Sequence, residues 1–432
     1  MRPRDVSIPL VHKLGNASAI TLALLTLIFG AADSATAATR CVNPAGTGGC
    51  YSSISAAVTA AAAGDTIFVA QGTYNEDVNI NKPVSLIGQS KENTIIDATG
   101  LVNGIAISGT GSVTVSGFTV ENAEAAGIWV TNSVNVTIYG NIVKLNDKSL
   151  SNRTCPILEH TPFEAGEAFD CGEGVFFSGV EHSTIANNLI TMNAGGILIT
   201  DDTGPSHHNL VTTNSVVRNT ALDCGITLPS HSGAGVYNNT VSGNDSSYNG
   251  GPGVGIFAPG PGSKAYGNVV VNNRLRGNGL PGVTMHNHAA PGVGSVPPMA
   301  PPVMFDDNVI VGNDISANAE DDEDAATSGP TGINLYSVAH TKGTVIAQNT
   351  ITQEALDVVI NAPANGNIAA ALVHLNNFPG QTVGVQNLGT ARIDATENWW
   401  GCPSGPNHPG CSSTSGNAVN YTPWLTAPFQ TQ

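Results

Sequence analysis

Charge is scarce in this chain of 432 residues: 11% of positions are Asp, Glu, Lys or Arg, and 15 basic residues face 32 acidic ones. The net charge of −17 repels phosphate backbones, so nucleic acid is not an expected partner. A polyuronate would also find few cations to meet it, whereas divalent metals are tolerated. Aromatics are scarce as well, at 5%. Long apolar runs are missing: Ile20–Ile28 falls well short of the ~20 residues a membrane span requires. No Cys-x-x-Cys spacing occurs among the seven cysteines, which argues against a zinc ribbon. Few stretches carry the period of a long helix.

The short apolar run has another reading. Arg2, Arg4 and Lys13 precede it, and Ala35-Thr36-Ala37 follows as an A-x-A cleavage site. Residues 1–37 are therefore expected to be a secretory signal peptide, leaving a secreted or periplasmic protein with no membrane span. Cysteine usage agrees with an oxidising compartment. Three pairs lie close in sequence, Cys41 with Cys50, Cys155 with Cys171 and Cys402 with Cys411, and three local disulfides are expected. Cys224 is the seventh cysteine, expected to be reduced and buried beside Gly225.

What the chain has in abundance is glycine, 50 residues of it, with asparagine and β-branched residues. These favour many short strands joined by tight turns. One pattern repeats: Asn-x-[Ile/Val/Leu]-x-x-Asn, a variable gap, then Gly-[Ile/Val]-x-apolar. The first Asn falls at Asn141, Asn188, Asn214, Asn239, Asn273, Asn313 and Asn349, with a second Asn five residues on in all but the last, which has Glu354. The glycines fall at Gly127, Gly174, Gly196, Gly225, Gly255, Gly282 and Gly332. One and three residues after each glycine the side chain is apolar, as in Ile128 and Val130 or Ile197 and Ile199. That is a period of two with one face buried in every copy.

Copies in one register are best explained by stacking along a common axis, with inserted loops where the spacing lengthens. Stacked coils lie ~4.8 Å apart, so the repeated Asn can form side-chain ladders from coil to coil. The expected fold is all-β, a right-handed single-stranded parallel β-helix with three sheets and an N-terminal helical cap. The helix is expected over 51–63. Residues 38–100 read as the cap and first coils, 101–395 as the repeat coils with loops, and 396–432 as a C-terminal cap plugged by Trp399, Trp400 and Trp424.

Particular segments carry a family resemblance. Gly64-Asp-Thr-Ile67, Gly72-Thr-Tyr74 and Thr94-Ile-Ile-Asp97 resemble the opening coils of the pectin-lyase-like superfamily of right-handed parallel β-helix proteins. The Asn/Gly repeats are similar to the parallel β-helix repeat of carbohydrate-binding proteins and sugar hydrolases, which nitrous-oxide-reductase accessory proteins share. Asn398-Trp-Trp-Gly401 with Pro423-Trp-Leu425 is similar to the terminal coil of many bacterial members. The resemblance covers the chain beyond the signal. It implies the fold far more than the function, because lyases, hydrolases, esterases, epimerases and adhesins share it.

Members that act on sugars use a groove along one sheet. Two residues after the glycines, facing outward, come Trp129, Phe176 and Phe257, which as exposed aromatics could bind a sugar substrate by stacking on pyranose rings. The competing reading is that inserted loops cover them. Six residues after the glycines come Asp202, His231 and His288, expected as catalytic residues. Asp202 and His231 would lie one coil apart, ~5 Å. Carboxylate and imidazole can form an acid/base pair. His286, His288 and His231 could instead hold a metal, making Ca²⁺ or another divalent ion the cofactor. A plain polar loop edge is the third possibility.

No complete signature of a polygalacturonase, pectate lyase or pectin esterase is present. The functional expectation is a carbohydrate-binding or polysaccharide-processing protein, a lyase or glycoside hydrolase if catalytic, acting as a monomer on a polysaccharide or cell-surface glycan. The alternatives are a non-enzymatic adhesion or structural rod and a periplasmic metal-delivery accessory protein.

Overall fold

Alternating apolar residues after each glycine need a common core, and stacking supplies it. In the computed structural model, which describes residues 37–147, 172–219, 224–287, 303–322 and 327–430, the strands form three parallel sheets of 14, 15 and 10 strands. The chain visits the sheets in turn and climbs one coil per circuit. Thr66–Val69, Gly72–Tyr74 and Val78–Ile80 make one such circuit, and Ser85–Gly88 then pairs in parallel with Thr66–Val69. The architecture is the three-sheet parallel β-helix expected from the repeat.

Register is held by the apolar residues. Ile105, Ile128, Val175, Ile197, Ile226, Val254, Val283, Ile333, Val358 and Val385 are partners in succession along the second sheet. All are buried. Each such side chain contributes roughly 1.5–3 kcal/mol by leaving water. A slip of one residue would turn the whole row outward, so the register is strongly specified.

One coil corrects the sequence reading. The glycine partnering this series is Gly253, not Gly255: Gly255 pairs with Thr227 and Thr284, and Val254 and Ile256 point inward. Gly253-Val-Gly255-Ile offers two glycines two residues apart, and periodicity alone does not distinguish them.

The asparagines form ladders. Asn188 Nδ2 donates to Asn214 Oδ1 of the next coil at 3.0 Å and to the Ile138 carbonyl of the preceding one at 2.9 Å. Its own Oδ1 accepts from the backbone nitrogen and Nδ2 of Asn141. Each buried amide is thereby satisfied in both directions. One column runs from Asn141 to Asn398. A second runs from Asn146 to Asn318 and ends on Glu354. A third, not anticipated, joins Asn209, Asn239, Asn268 and Asn308. Asn239 and Asn244 accordingly sit one column away from where the repeat places them, because Asn239–Asn244 fits the motif while the pair that belongs to those columns, Asn244 and Asn249, has Ser246 at the apolar position.

At the start of the described chain, Ile54–Ala60 is helical, shorter than the 51–63 expected. Ser53 caps it by accepting from Ala56 N, and Glu76 accepts from Ile54 N and Ser55 N. Lys82 Nζ donates to the carbonyls of Thr59 and Ala61 and closes its end. Ile54, Ala57 and Val58 share one face and are buried in the common core. Cys41–Cys50 and Cys402–Cys411 are disulfides. Cys155, Cys171 and the expected signal peptide lie outside the described residues. Cys224 is half-buried rather than buried. Trp400 is fully buried against Phe378 and Tyr421, while Trp399 and Trp424 are half-buried. No helix among the described residues is long and apolar enough to cross a membrane.

Candidate functional site

Outward residues of the second sheet stand in rows along the axis, and the rows decide what can meet. Trp129, Phe176, Leu198 and Thr227 are successive partners in one row. The expected aromatic platform is not there. Phe176 has no exposed surface and Trp129 retains 5% of its own. The two rings stack on each other at 4.0 Å and join Ala126 and Leu198 in a separate apolar cluster. Rings one coil apart shed water by facing each other, which leaves no face for a sugar. Phe257 is half-buried and belongs to a different row, with Pro229, His286 and Tyr336 as partners. Its ring lies 5.6 Å from that of His286. The three aromatics do not form one surface.

Asp202 and His231 do meet. Both follow strands of the second sheet, Gly195–Thr200 and Ile226–Pro229, which are adjacent coils. His231 Nδ1 lies 2.9 Å from Asp202 Oδ1. Thr200 completes the arrangement: its hydroxyl donates to Asp202 Oδ2 at 2.8 Å and lies 3.1 Å from His231 Nδ1. A hydroxyl has one proton. With that proton on Asp202, Thr200 can only accept from His231, so Nδ1 carries a hydrogen. The carboxylate and hydroxyl thus fix ring orientation and tautomer together. Asp202 is partly exposed and His231 retains 8% of its surface, so the pair sits at a margin that solvent reaches.

The neighbouring Asp201 has a different task. It is buried and accepts from Ser230 Oγ, Ser232 N and Gly235 N at 2.9, 2.9 and 2.6 Å. Burial pushes its carboxyl up from the ordinary range, and these three donors oppose the rise. Asp201 folds the loop that carries His231.

Two coils along the same sheet, His286 makes a second imidazole–carboxylate pair, its Nε2 3.1 Å from Asp321 Oδ2. Asn334 Nδ2 donates to the same oxygen at 3.2 Å. Both His286 and Asp321 are buried. The expected metal set of His286, His288 and His231 is not assembled among the described residues. His231 and His286 each hold a different carboxylate on strands ~10 Å apart. His288 lies outside the described residues, so its catalytic and metal roles rest on the sequence alone.

Some participants had no usable signal. Thr200 is one threonine among many. Asp321 falls in the acidic run Glu320–Asp324, which reads as a solvated loop, yet it is folded back against His286. The arginines a lyase reading would want lie elsewhere: Arg218 is exposed at the corner after a third-sheet strand. Arg274 and Arg276 are on the third sheet itself, paired with Asp245 and Asp314.

Residues 84–275 match the family described as the right handed beta helix region. A GH87 alpha-1,3-glucanase catalytic domain in complex with nigerose has a similar structure, with a TM-score of 0.54 at 14% identity. The match covers 84% of this chain and 64% of that domain. The same domain in complex with tetrasaccharides gives 0.52 at 15%, with the same coverage. The Dettilon tailspike protein gives 0.51 at 14%, covering 82% of this chain and 62% of that one. The chain thus spans less than two thirds of the length of these proteins, and at such identities the likeness is one of fold. No curated protein matches the chain in sequence. The right-handed sense of the helix follows from the family match over residues 84–275, and the structural likenesses agree with it as a fold.

Proposed function

We propose, on the premise that the chain is a right-handed parallel β-helix of the pectin-lyase-like type, that it is an exported carbohydrate-active protein. The substrate is a neutral, extended glycan lying along the second sheet. Asp202 and His231 supply the acid/base chemistry. The observation that carries this reading is the Asp202–Thr200–His231 arrangement. It joins an accessible carboxylate to an imidazole of fixed tautomer on a rigid sheet margin, as proton transfer to or from a glycosidic oxygen or a water requires. The similar glucanase domain was solved with nigerose, which supports a glycan as the ligand class. A net charge of −17, with Arg274 and Arg276 held in ion pairs on another sheet, favours a neutral glycan over a polyuronate. Hydrolysis is therefore the reaction class, Asp202 acting on the water or the leaving oxygen while His231 holds it in place.

Export is supported by the signal-like N-terminus and by the disulfides Cys41–Cys50 and Cys402–Cys411. The second reading is a glycan-binding or display rod without turnover. It is favoured by the burial of Trp129 and Phe176, which removes the aromatic floor common in sugar grooves.

A panel of neutral and uronate polysaccharides, with and without Ca²⁺, decides between the two. The expected result is new reducing ends from a neutral glycan, without absorbance of unsaturated sugars. Asp202→Asn should lower the rate about 10²–10⁴-fold with folding unchanged. Binding without turnover would establish the second reading. Turnover unaffected by Asp202→Asn would move the site elsewhere.

A further inference from the structure

On the margin of the second sheet, and sharing no residue with the Asp202–His231 pair, three imidazoles converge. His182 follows the long strand Glu173–Glu181, and His207 and His208 end the next short strand and its corner. One ring nitrogen of each lies within 4.8 Å of the others, making a three-residue group of metal-ligating side chains among the described residues. We propose that His182, His207 and His208 form a binding site for a divalent first-row transition ion such as Zn²⁺ or Cu²⁺.

The geometry suits such an ion. The Nδ1 atoms of His207 and His208 are 2.9 Å apart. Two nitrogens ~2.0 Å from one tetrahedral ion would be ~3.3 Å apart, so only a small opening of the rings is needed. The His182 ring stacks on that of His208 at 5.0 Å, one coil away, and both are exposed and can turn without moving the core. His207 is held more firmly. Tyr237 stacks on its ring at 4.8 Å, and Glu181 Oε2 lies 3.6 Å from Nε2. A carboxylate beside the ring atom opposite the ligand nitrogen is the usual partner of a metal-bound histidine. Three imidazoles leave a position open for water or an exogenous donor.

Conformation alone does not call for histidine here. His182 and His208 have φ of 50° and 55°, at a corner that other coils fill with Asn135, Asn238, Gly267, Asp307 and Gly343, all at positive φ. Asparagine and glycine are the usual residues for that backbone. Two successive histidines, beside a third on the adjoining strand, give the corner a ligand set it does not need for folding.

The same corner supplies a conservative test. His182→Asn and His208→Asn install the residue that Asn135 and Asn238 already place in equivalent turns. Calorimetric titration with Zn²⁺ should give one site per chain in the wild type and none in the double variant, whose melting temperature without metal is unchanged. Glu181→Gln should weaken binding about 10–100-fold. His286→Ala, on the other pair, should leave the titration as it is. A Cu²⁺-loaded wild type should show coupling to three nitrogens by electron paramagnetic resonance, a readout that needs no variant. No Zn²⁺ uptake by the wild type, one site retained in the folded double variant, or a copper spectrum without three-nitrogen coupling would each overturn the proposal.

Discussion

Glu354 takes the place of an asparagine at the end of a ladder: its Oε1 accepts from Asn318 N at 3.0 Å and from Asn318 Nδ2 at 2.9 Å. In the coils before it the same two donors meet an amide oxygen, as Asn278 meets Asn318. A buried carboxyl does the job of an amide here, and desolvation pushes its pKa up to about 7 against those two hydrogen bonds. Asp357 lies close by, fully buried, with its carboxyl well above the ordinary range because of burial and the neighbouring Glu354.

Both carboxyls are expected to make stability depend on pH. A folded-state pKa raised above the unfolded value means the native protein binds the proton more tightly. The contribution is fully present below the unfolded pKa of about 4.5 and is lost as pH rises through about 7. The native state should therefore be more stable at pH 5 than at pH 8. Glu354→Gln keeps the acceptor and removes the charge. It should match the wild type at pH 5 and exceed it at pH 8, by on the order of 3 kcal/mol at most. Urea unfolding at the two pH values measures this, and equal pH dependence in both proteins would refute it.

This ladder also marks where the sequence was readable. The five-residue Asn spacing and the apolar pairs after each glycine report directly on turns and core, because stacking repeats the same physical demand in each coil. That made the fold legible, along with the 2.9 Å meeting of Asp202 and His231. The choice between Gly253 and Gly255 was not legible, since both satisfy a period of two. Nor was the burial of Trp129 and Phe176, because outward-facing on a strand does not mean exposed once rings of adjacent coils stack on each other. His182 carries no signal in the repeat, because it belongs to a corner and the repeat reports on the sheets.

The ladders should be costly to break. Asn273 Oδ1 accepts from Asn244 N and Nδ2 at 2.9 and 3.0 Å, and its Nδ2 donates to the Val241 carbonyl and Asn313 Oδ1. Asn273→Ala strands two buried donors and a carbonyl at once. Each unmet group costs about 1–3 kcal/mol, so the variant should lose several kcal/mol in denaturant unfolding. A loss under about 1 kcal/mol would mean that water or a local shift replaces the bonds.

Glycine positions should split into two kinds. A Cβ at Gly225 would stand 2.1 Å from Ser246 Oγ, 2.6 Å from Asn249 Nδ2 and 2.8 Å from the Gly253 carbonyl. Gly225→Ala must displace backbone and a ladder amide, and overpacking of this sort costs roughly 1–3 kcal/mol or more. Gly140 has φ of +65° but open space around it, at a corner where the next coil has Asn187. Gly140→Asn should be nearly neutral. Thermal melts of the two variants compare them, and the reverse order would contradict the packing described.

The Asp202–Thr200–His231 arrangement makes a prediction that needs no substrate. Thr200 gives its single proton to Asp202 Oδ2, so its oxygen faces His231 Nδ1 as an acceptor, and Asp202 Oδ1 accepts from the same nitrogen. Neutral His231 should therefore exist as the Nδ1–H tautomer, observable in the nitrogen shifts of histidine-labelled protein at alkaline pH. In Asp202→Ala the Thr200 hydroxyl loses its acceptor and is free to turn toward the ring. It can then donate to Nδ1, and the proton should shift to Nε2. The backbone that positions His231 is held separately, by the Asp201 bonds to Ser230, Ser232 and Gly235, so the ring should stay in place while its tautomer inverts. An Nε2–H ring in the wild type, or no change on removing Asp202, would show that this carboxylate does not govern the histidine and would take away the basis for acid/base chemistry at the pair.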